Sequence, residues 1–389
     1  MINTLNRYFQ ELETPFYFYD IGLLRRTLTT IKNEVSSVPY HVHYALKANV
    51  NNRLLKEILS FGFGADCVSG NEVIKALKAG FPSKQIVFAG VGKTDREILT
   101  ALENDIFSFN VESIQELEII DQLAGRIGRK ARFALRLNPN VDPETHEYIT
   151  TGKRDNKFGI TFDGFLSIIE KLSEFNNSIF IGLHFHIGSQ ITKPDKFVHL
   201  AKKANEIQQF LHDKNINITH LNMGGGLGVN YESPDSNNIA DFRTYFQNFK
   251  KKLEIKEGQQ VHFELGRSIV AQCGSLITRV LYQKEGAGNP FLVVDAGMTE
   301  LIRPALYKAF HHIENLSSNQ PMRPYNVVGP ICETSDSFGN QVMLNEGKRG
   351  DLLAVRSTGA YAEVMSSRYN LREVAPSVYS DDFMVDIKE

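Results

Sequence analysis

Eight short apolar runs, at 42–47, 64–69, 86–90, 107–111, 131–138, 180–187, 220–224 and 260–265, alternate along this chain with stretches of helical periodicity. That alternation constrains the fold more than any other property, because parallel strands joined through helices close into a (β/α)8 barrel. Such a barrel takes roughly 250 residues, and the chain has 389, so a second domain is expected. After about residue 268 the pattern changes to short β-rich segments at 276–283, 290–295, 325–329, 341–344 and 351–355, broken by Gly, Pro and Asn. The aromatic run Thr14-Pro15-Phe16-Tyr17-Phe18-Tyr19-Asp20 precedes the barrel and reads as a strand that the second domain borrows. The expected division is an N-terminal strand within 1–20, a barrel over 21–267 and an all-β domain over 268–389.

Side chains alternate faces along a strand, so each run can be read for what it points inward. In 41–47 the alternation puts Val42, Tyr44 and Leu46 on one face and His41, His43, Ala45 and Lys47 on the other. In 180–188, Ile181, Leu183, Phe185 and Ile187 leave His184 and His186 opposite; in 261–267, Val261, Phe263 and Leu265 leave His262 and Glu264 opposite. A lysine, two histidines and a glutamate are therefore expected in one barrel mouth, where barrels place their chemistry. Asp66, on the inward face of the second run, is a further candidate. Taken singly, each residue also fits an ordinary solvated strand. His184 reads better as a packing or supporting histidine than as a catalytic one.

Met223-Gly224-Gly225-Gly226-Leu227-Gly228 follows the seventh run. Consecutive glycines let backbone amides approach a phosphate, and barrel phosphate sites cluster after strands seven and eight. The Lys-Ser/Thr of a P-loop is missing, which argues against a nucleoside triphosphate. A phosphate cradle, an inward lysine and an inward glutamate together suggest pyridoxal 5'-phosphate, whose aldehyde a lysine can bond and whose ring nitrogen a carboxylate can keep protonated.

Net charge is −2, so no general attraction to nucleic acid or anionic membrane is expected. The three cysteines, Cys67, Cys273 and Cys332, are too scattered for a disulfide framework or zinc knuckle, which fits a reducing compartment. Cys67 and Cys273 read as inert core residues. The N-terminal residues lack the apolar core of a signal peptide and no apolar run is long enough to span a bilayer, so a cytoplasmic protein is expected. No metal is expected, and the His311-His312 pair reads as surface. The polar stretch over 139–160 is a candidate lid.

In order along the chain, Tyr44-Ala45-Leu46-Lys47-Ala48-Asn49, His184-Phe185-His186-Ile187-Gly188-Ser189-Gln190, the Gly224–Gly226 turn, Glu264-Leu265-Gly266-Arg267, Arg303-Pro304-Ala305-Leu306-Tyr307, Cys332-Glu333-Thr334-Ser335-Asp336 and Gly359-Ala360-Tyr361 closely resemble the diaminopimelate decarboxylases. That family has the alanine-racemase-like fold, and the resemblance runs over about residues 14 to 375. It implies decarboxylation of meso-2,6-diaminopimelate to L-lysine and carbon dioxide, the last step of that route to lysine, with pyridoxal 5'-phosphate as cofactor.

Residue by residue, the resemblance makes Lys47 the amine that bonds the cofactor and His186 the imidazole stacked on its ring. Ser189, the amides of Gly225 and Gly226, and Arg267 within its Gly266-Arg267 pair resemble the phosphate contacts. Glu264 resembles the partner of the ring nitrogen. Arg303 and Tyr307, with Arg267 shared, resemble the clamp on the substrate's distal carboxylate. Glu333 resembles the partner of its amine, Tyr361 a contact to both cofactor and substrate, and Cys332 the acid that returns a proton. The family also implies a homodimer in which the Cys332-Glu333 segment serves the other subunit's site. This chain has Leu265 where the family usually has proline. Three other readings share parts of the pattern: a decarboxylase making a polyamine precursor, a racemase on the same fold, and a non-catalytic homologue.

Overall fold

The computed structural model describes residues 2–138 and 157–383. Residues 139–156 of the candidate lid therefore lie outside the described residues. Contacts group the chain into two units, Leu28–Gly228 with Asp241–Gly266, and Met1–Thr27 with Val229–Ala240 and Arg267–Glu389. Val229–Ala240, although it lies between two barrel strands in the sequence, belongs to the β-rich unit.

Numbered along the chain, β1 (Phe16–Tyr19) belongs to the β-rich unit. The barrel is built from β2 (Tyr40–Ala45), β3 (Gly64–Cys67), β4 (Ile86–Phe88), β5 (Ser108–Val111), β6 (Ala131–Leu137), β7 (Ser178–Phe185), β8 (His220–Asn222) and β9 (Gln260–Leu265). They run parallel in sequence order and close where Tyr40–Tyr44 of β2 pairs with Val261–Leu265 of β9. All eight expected runs are barrel strands, with ends shifted by no more than two residues.

Helices cover the barrel through apolar stripes of helical period. Between β8 and β9 the helix Phe242–Lys252 buries Phe242, Tyr245, Phe246 and Phe249, an i, i+3, i+4, i+7 pattern. Tyr245, Phe246 and Phe249 pack edge-on around Phe263, with ring centroids 5.7, 5.1 and 5.1 Å away. Phe263 is thereby fixed outward, and strand alternation sends His262 and Glu264 inward. Leu265, the residue in place of the family's proline, is also buried on that outward face. Helix starts are set by local polar chemistry: Thr94 and Glu97 form a capping box at Asp95–Glu103.

The other unit holds β10 (Gly274–Lys284), β11 (Phe291–Val294), β12 (Ile313–Asn315), β13 (Met322–Val328), β14 (Ser337–Asn345), β15 (Leu352–Arg356) and β16 (Ser377–Tyr379). The sheet order is β12-β15-β10-β11-β13-β14. β1 joins it antiparallel to β10 and parallel to β16. Phe16 and Phe18 of β1 pack with Phe9, Ile277, Leu352 and Ala354 in a core cluster of this unit. β12 and β16 were not expected from the sequence; β12 has the polar Glu314 and Asn315 after one apolar residue, so it is no apolar run.

Candidate active-site residues

In the barrel, Lys47 is not on the strand as the alternation suggested. β2 ends at Ala45, and Leu46–Ala48 forms a 3-10 turn that carries Lys47. The turn is tied down by the Tyr44 hydroxyl, which donates to the Asn49 carbonyl at 2.9 Å. The Lys47 ammonium lies 3.3 Å from Oδ2 of Asp66, which is fully buried on β3. Burial, and then the nearby Glu264 carboxylate, push the Asp66 carboxyl up to about 7, against the opposing pull of Lys47.

Glu264 is buried and collects three hydrogen bonds from donors that carry no charge. Oε1 accepts from the side-chain amides of Asn110 at 2.9 Å and Asn222 at 2.8 Å. Oε2 lies 3.0 Å from Nε2 of His184. Burial holds the His184 imidazole well below its ordinary pKa, so the neutral ring donates through Nε2–H and His184 supports the carboxylate directly. A carboxylate has about four acceptor sites, and one on Oε2 remains for a further donor. Asn110 and Asn222 were missed in the sequence, although each sits beside apolar neighbours on a short strand where a buried amide needs a partner.

The turn after β8 admits no side chain. A Cβ on Gly225 would lie 1.8 Å from the Glu264 carbonyl oxygen, and one on Gly226 would lie 2.4 Å from that of Gly188. Gly224 and Gly226 also have φ of +64° and +99°, in the left-handed region that favours glycine. The Gly225 amide points at Nδ1 of half-buried His186 across a long 3.5 Å. Burial, with Lys47 adding, holds His186 well below its ordinary pKa, so its ring is neutral. Ser189 is exposed on the loop beyond β7. A Cβ on Gly266 would press on Ala45 and Ala48, both at 3.1 Å.

His262 faces inward, as the alternation expects. It lies in a layer of imidazoles with His43 and His220. Its Nδ1 is 2.8 Å from Nε2 of His43, whose Nδ1 is 3.1 Å from the Gln85 carbonyl. His43 therefore donates to Gln85, and His262 donates to His43. The His220 ring packs at a tilt 4.1 Å from His262 and 5.3 Å from Phe107, and neither of its ring nitrogens has a partner among the described residues.

In the β-rich unit two guanidinium groups meet around one tyrosine. Arg267 donates to the Tyr231 hydroxyl at 2.6 Å, and its Cζ lies 4.8 Å over the Tyr361 ring. Arg303, at the start of the short helix Arg303–Tyr307, lies 4.9 Å over the Tyr231 ring. Tyr361 has φ of +59°, a strained conformation for a bulky residue. Arg303 is buried, and no described residue gives it a carboxylate partner. Burial and the neighbouring Arg267 lower its pKa. Its partner is His311, at 2.7 Å. His311, expected at the surface, is instead buried. Tyr307 is exposed. Cys332 is exposed, its amide donating to the Asn370 side chain at 3.3 Å; Glu333 accepts from the Tyr369 hydroxyl at 2.7 Å. Tyr231 and Tyr369 were also missed, because nothing in local spacing links them to their partners. Cys67 and Cys273 are buried thiols that burial pushes to raised pKa values, as expected of inert core residues.

The family model described as pyridoxal-dependent decarboxylase, pyridoxal binding domain, matches residues 21–271. The diaminopimelate decarboxylase of Bacteroides thetaiotaomicron is 52% identical over 378 residues, covering 97% of this chain and 98% of that protein. That of Aquifex aeolicus is 38% identical, covering 97% of this chain and 89% of the relative. Among solved structures, diaminopimelate decarboxylase from Helicobacter pylori complexed with L-lysine matches with a TM-score of 0.88 at 38% identity, covering 97% of this chain and 94% of that one.

Proposed function

The chain belongs to the diaminopimelate decarboxylases, within the pyridoxal-dependent decarboxylases, and from that premise we infer that it converts meso-2,6-diaminopimelate to L-lysine and carbon dioxide with pyridoxal 5'-phosphate. The barrel residues fit that cofactor. A turn where any Cβ would strike backbone suits a phosphate. A buried carboxylate with one acceptor site left suits a protonated ring nitrogen. When bound, the cofactor supplies an aldehyde that bonds an amine and a ring that accepts the electrons released with carbon dioxide.

The roles we propose for the side chains follow from chemistry and from the family resemblance. Lys47 anchors the aldehyde through its amine, with Asp66 beside it. Glu264 holds the ring proton, and neutral His186 packs on the ring without competing for that proton. Ser189, the amides of Gly225 and Gly226, Gly266 and Arg267 take the phosphate. Tyr361 touches cofactor and substrate, Glu333 receives the substrate's distal amine, and the Cys332 thiol returns a proton to the α-carbon.

One observation carries the choice of substrate: Arg303 is a buried guanidinium with no acid partner among the described residues. A buried charge without a counter-ion is costly, so the site calls for an anion. Diaminopimelate brings a distal carboxylate that ornithine, arginine and lysine lack, and guanidinium matches carboxylate in bidentate fashion. We propose Arg303, with Tyr307 and Arg267, as the reader of that group.

We also propose a homodimer in which the Cys332-Glu333 segment serves the partner's site. The exposure of Leu306, Tyr307, Phe310 and Leu371 supports a paired face. Three free thiols support a reducing, cytoplasmic setting. No helix among the described residues is long and apolar enough to cross a membrane. Carbon dioxide release from purified protein offered diaminopimelate, ornithine or arginine tests the reading: release is expected from diaminopimelate alone, and comparable turnover of ornithine would overturn it.

A further inference from the structure

We propose that His311 is a positioning residue for substrate specificity: its imidazole aims the Arg303 guanidinium at the substrate's distal carboxylate while leaving the guanidinium charge whole. The inference rests on the reading of Arg303 given above and adds to it a residue that has had no role.

The hydrogen bonds fix the chemistry. Nδ1 of His311 lies 2.8 Å from the Arg356 carbonyl oxygen, which can only accept, so Nδ1 carries the proton. In the neutral ring Nε2 is then a bare acceptor, and Nη1 of Arg303 stands 2.7 Å from it. The line carbonyl, imidazole, guanidinium has a single direction. It anchors Arg303 to the backbone at the end of β15 through one ring. Burial first, and then Arg303 itself, hold the His311 pKa down to about 3, so the ring stays an acceptor throughout the neutral range.

The backbone is bent to make this contact. In a continuous helix a residue eight positions on would lie about 12 Å further along the axis. The helix Arg303–Tyr307 instead ends at Lys308, whose φ of +53° turns the chain back and returns His311 to Arg303. Tyr231 closes the other side, with its ring under Arg303 and edge-on to His311 at 5.1 Å. An acid in place of His311 would fix Arg303 equally well but would cancel the charge that a carboxylate ligand has to find. A neutral acceptor fixes direction and leaves the remaining donors and the full charge to the ligand.

The test uses the holoenzymes of His311→Asn, His311→Gln, Arg303→Ala and the Arg303→Ala/His311→Asn double variant, with kcat and KM for diaminopimelate and a melting temperature for each. Asparagine keeps a donor near the Nδ1 position but falls short of Arg303, whereas glutamine places an acceptor near Nε2. H311N is expected to raise KM about tenfold, the order of one hydrogen bond to a charged group, with kcat much less affected. H311Q should stay near the parent, and the double variant should have the KM of R303A. A parental KM in H311N, an equal rise in H311Q, or effects that multiply in the double variant would each overturn the inference. Should H311N fail to fold, a raised KM in folded H311Q overturns it and a parental one supports it. If R303A itself leaves KM unchanged, the reading of Arg303 has failed, and this is distinct from a failure confined to His311.

Discussion

The ammonium of Lys47 lies 3.3 Å from one oxygen of Asp66, while the other oxygen of that fully buried carboxylate has no hydrogen-bond partner among the described residues. Asp66 is thus an acid whose ionised form burial disfavours and a single hydrogen-bonding neighbour, Lys47, supports. Its pKa is raised from 3.8 to about 7. An acid shifted this way contributes most stability below its unfolded value, and that contribution is lost as pH rises through the folded one. In cofactor-free protein, Asp66→Asn should therefore gain melting temperature relative to the parent as pH rises from 3.8 to about 7. A difference that stays flat across that window would show that the carboxyl ionises as freely in the fold as outside it.

Glu264→Gln retains shape and its one oxygen can still accept from both asparagine amides, but it cannot hold the ring proton. Activity should fall by about two orders of magnitude or more, the range usual for a positioned proton-holding group. Cofactor absorbance should persist if the glycine turn still binds phosphate. An unimpaired kcat in this variant would remove Glu264 from its proposed role.

Gly225→Ala places a methyl group 1.8 Å from a backbone oxygen, which cannot swing aside as a side chain could. Destabilisation of roughly 1–3 kcal/mol is expected from the forced shift, together with cofactor affinity weakened at least about tenfold through misplaced amides. Equilibrium titration with pyridoxal phosphate and urea unfolding measure the two effects separately. Parental values in both would mean that the turn has slack.

The imidazole layer sets acid sensitivity. Burial lowers His43 to about 4 and holds His220 and His262 well below 6.5. Such bases contribute stability above 6.5 that is lost as pH falls toward their folded values, so the barrel should weaken between about 6.5 and 4. His220→Phe removes a ring whose nitrogens are both unpartnered, a relief of about 1–3 kcal/mol set against a comparable cost of the larger ring. Near-unchanged stability at neutral pH and a smaller loss on acidification are expected. Melting curves at both pH values decide, and an undiminished acid loss would acquit His220.

Much of the barrel was legible because alternation and length are local signals. The inward placement of Glu264 was legible for the same reason: Phe263 faces the helix, so its neighbour faces in. Lys47 was read as the end of a strand, whereas a 3-10 turn after Ala45, which has no periodic signature, carries it and still brings its ammonium to Asp66. His262 obeyed the alternation yet sits with His43 and His220, because facing inward does not specify the level within a barrel. Asn110 and Asn222 were overlooked although their strands were found; an amide in an apolar run is a signal only once its partner is known. His311 was misread because its partner lies eight residues back, across a left-handed turn at Lys308 that sequence spacing does not mark.

The pairing of β1 with both β10 and β16 bears on how this protein is made. Tyr17 pairs with Leu276 on one side and with Ser377 on the other. On the ribosome, the aromatic segment Phe16–Tyr19 emerges well ahead of both partners, and the later of them, Ser377–Tyr379, is translated on the order of tens of seconds after it. Throughout that interval the nascent chain carries a sticky, unpaired edge past a folding barrel. Chaperone dependence and proteolytic vulnerability of the newborn chain should concentrate at β1, and removing Ser377–Tyr379 would be felt there first.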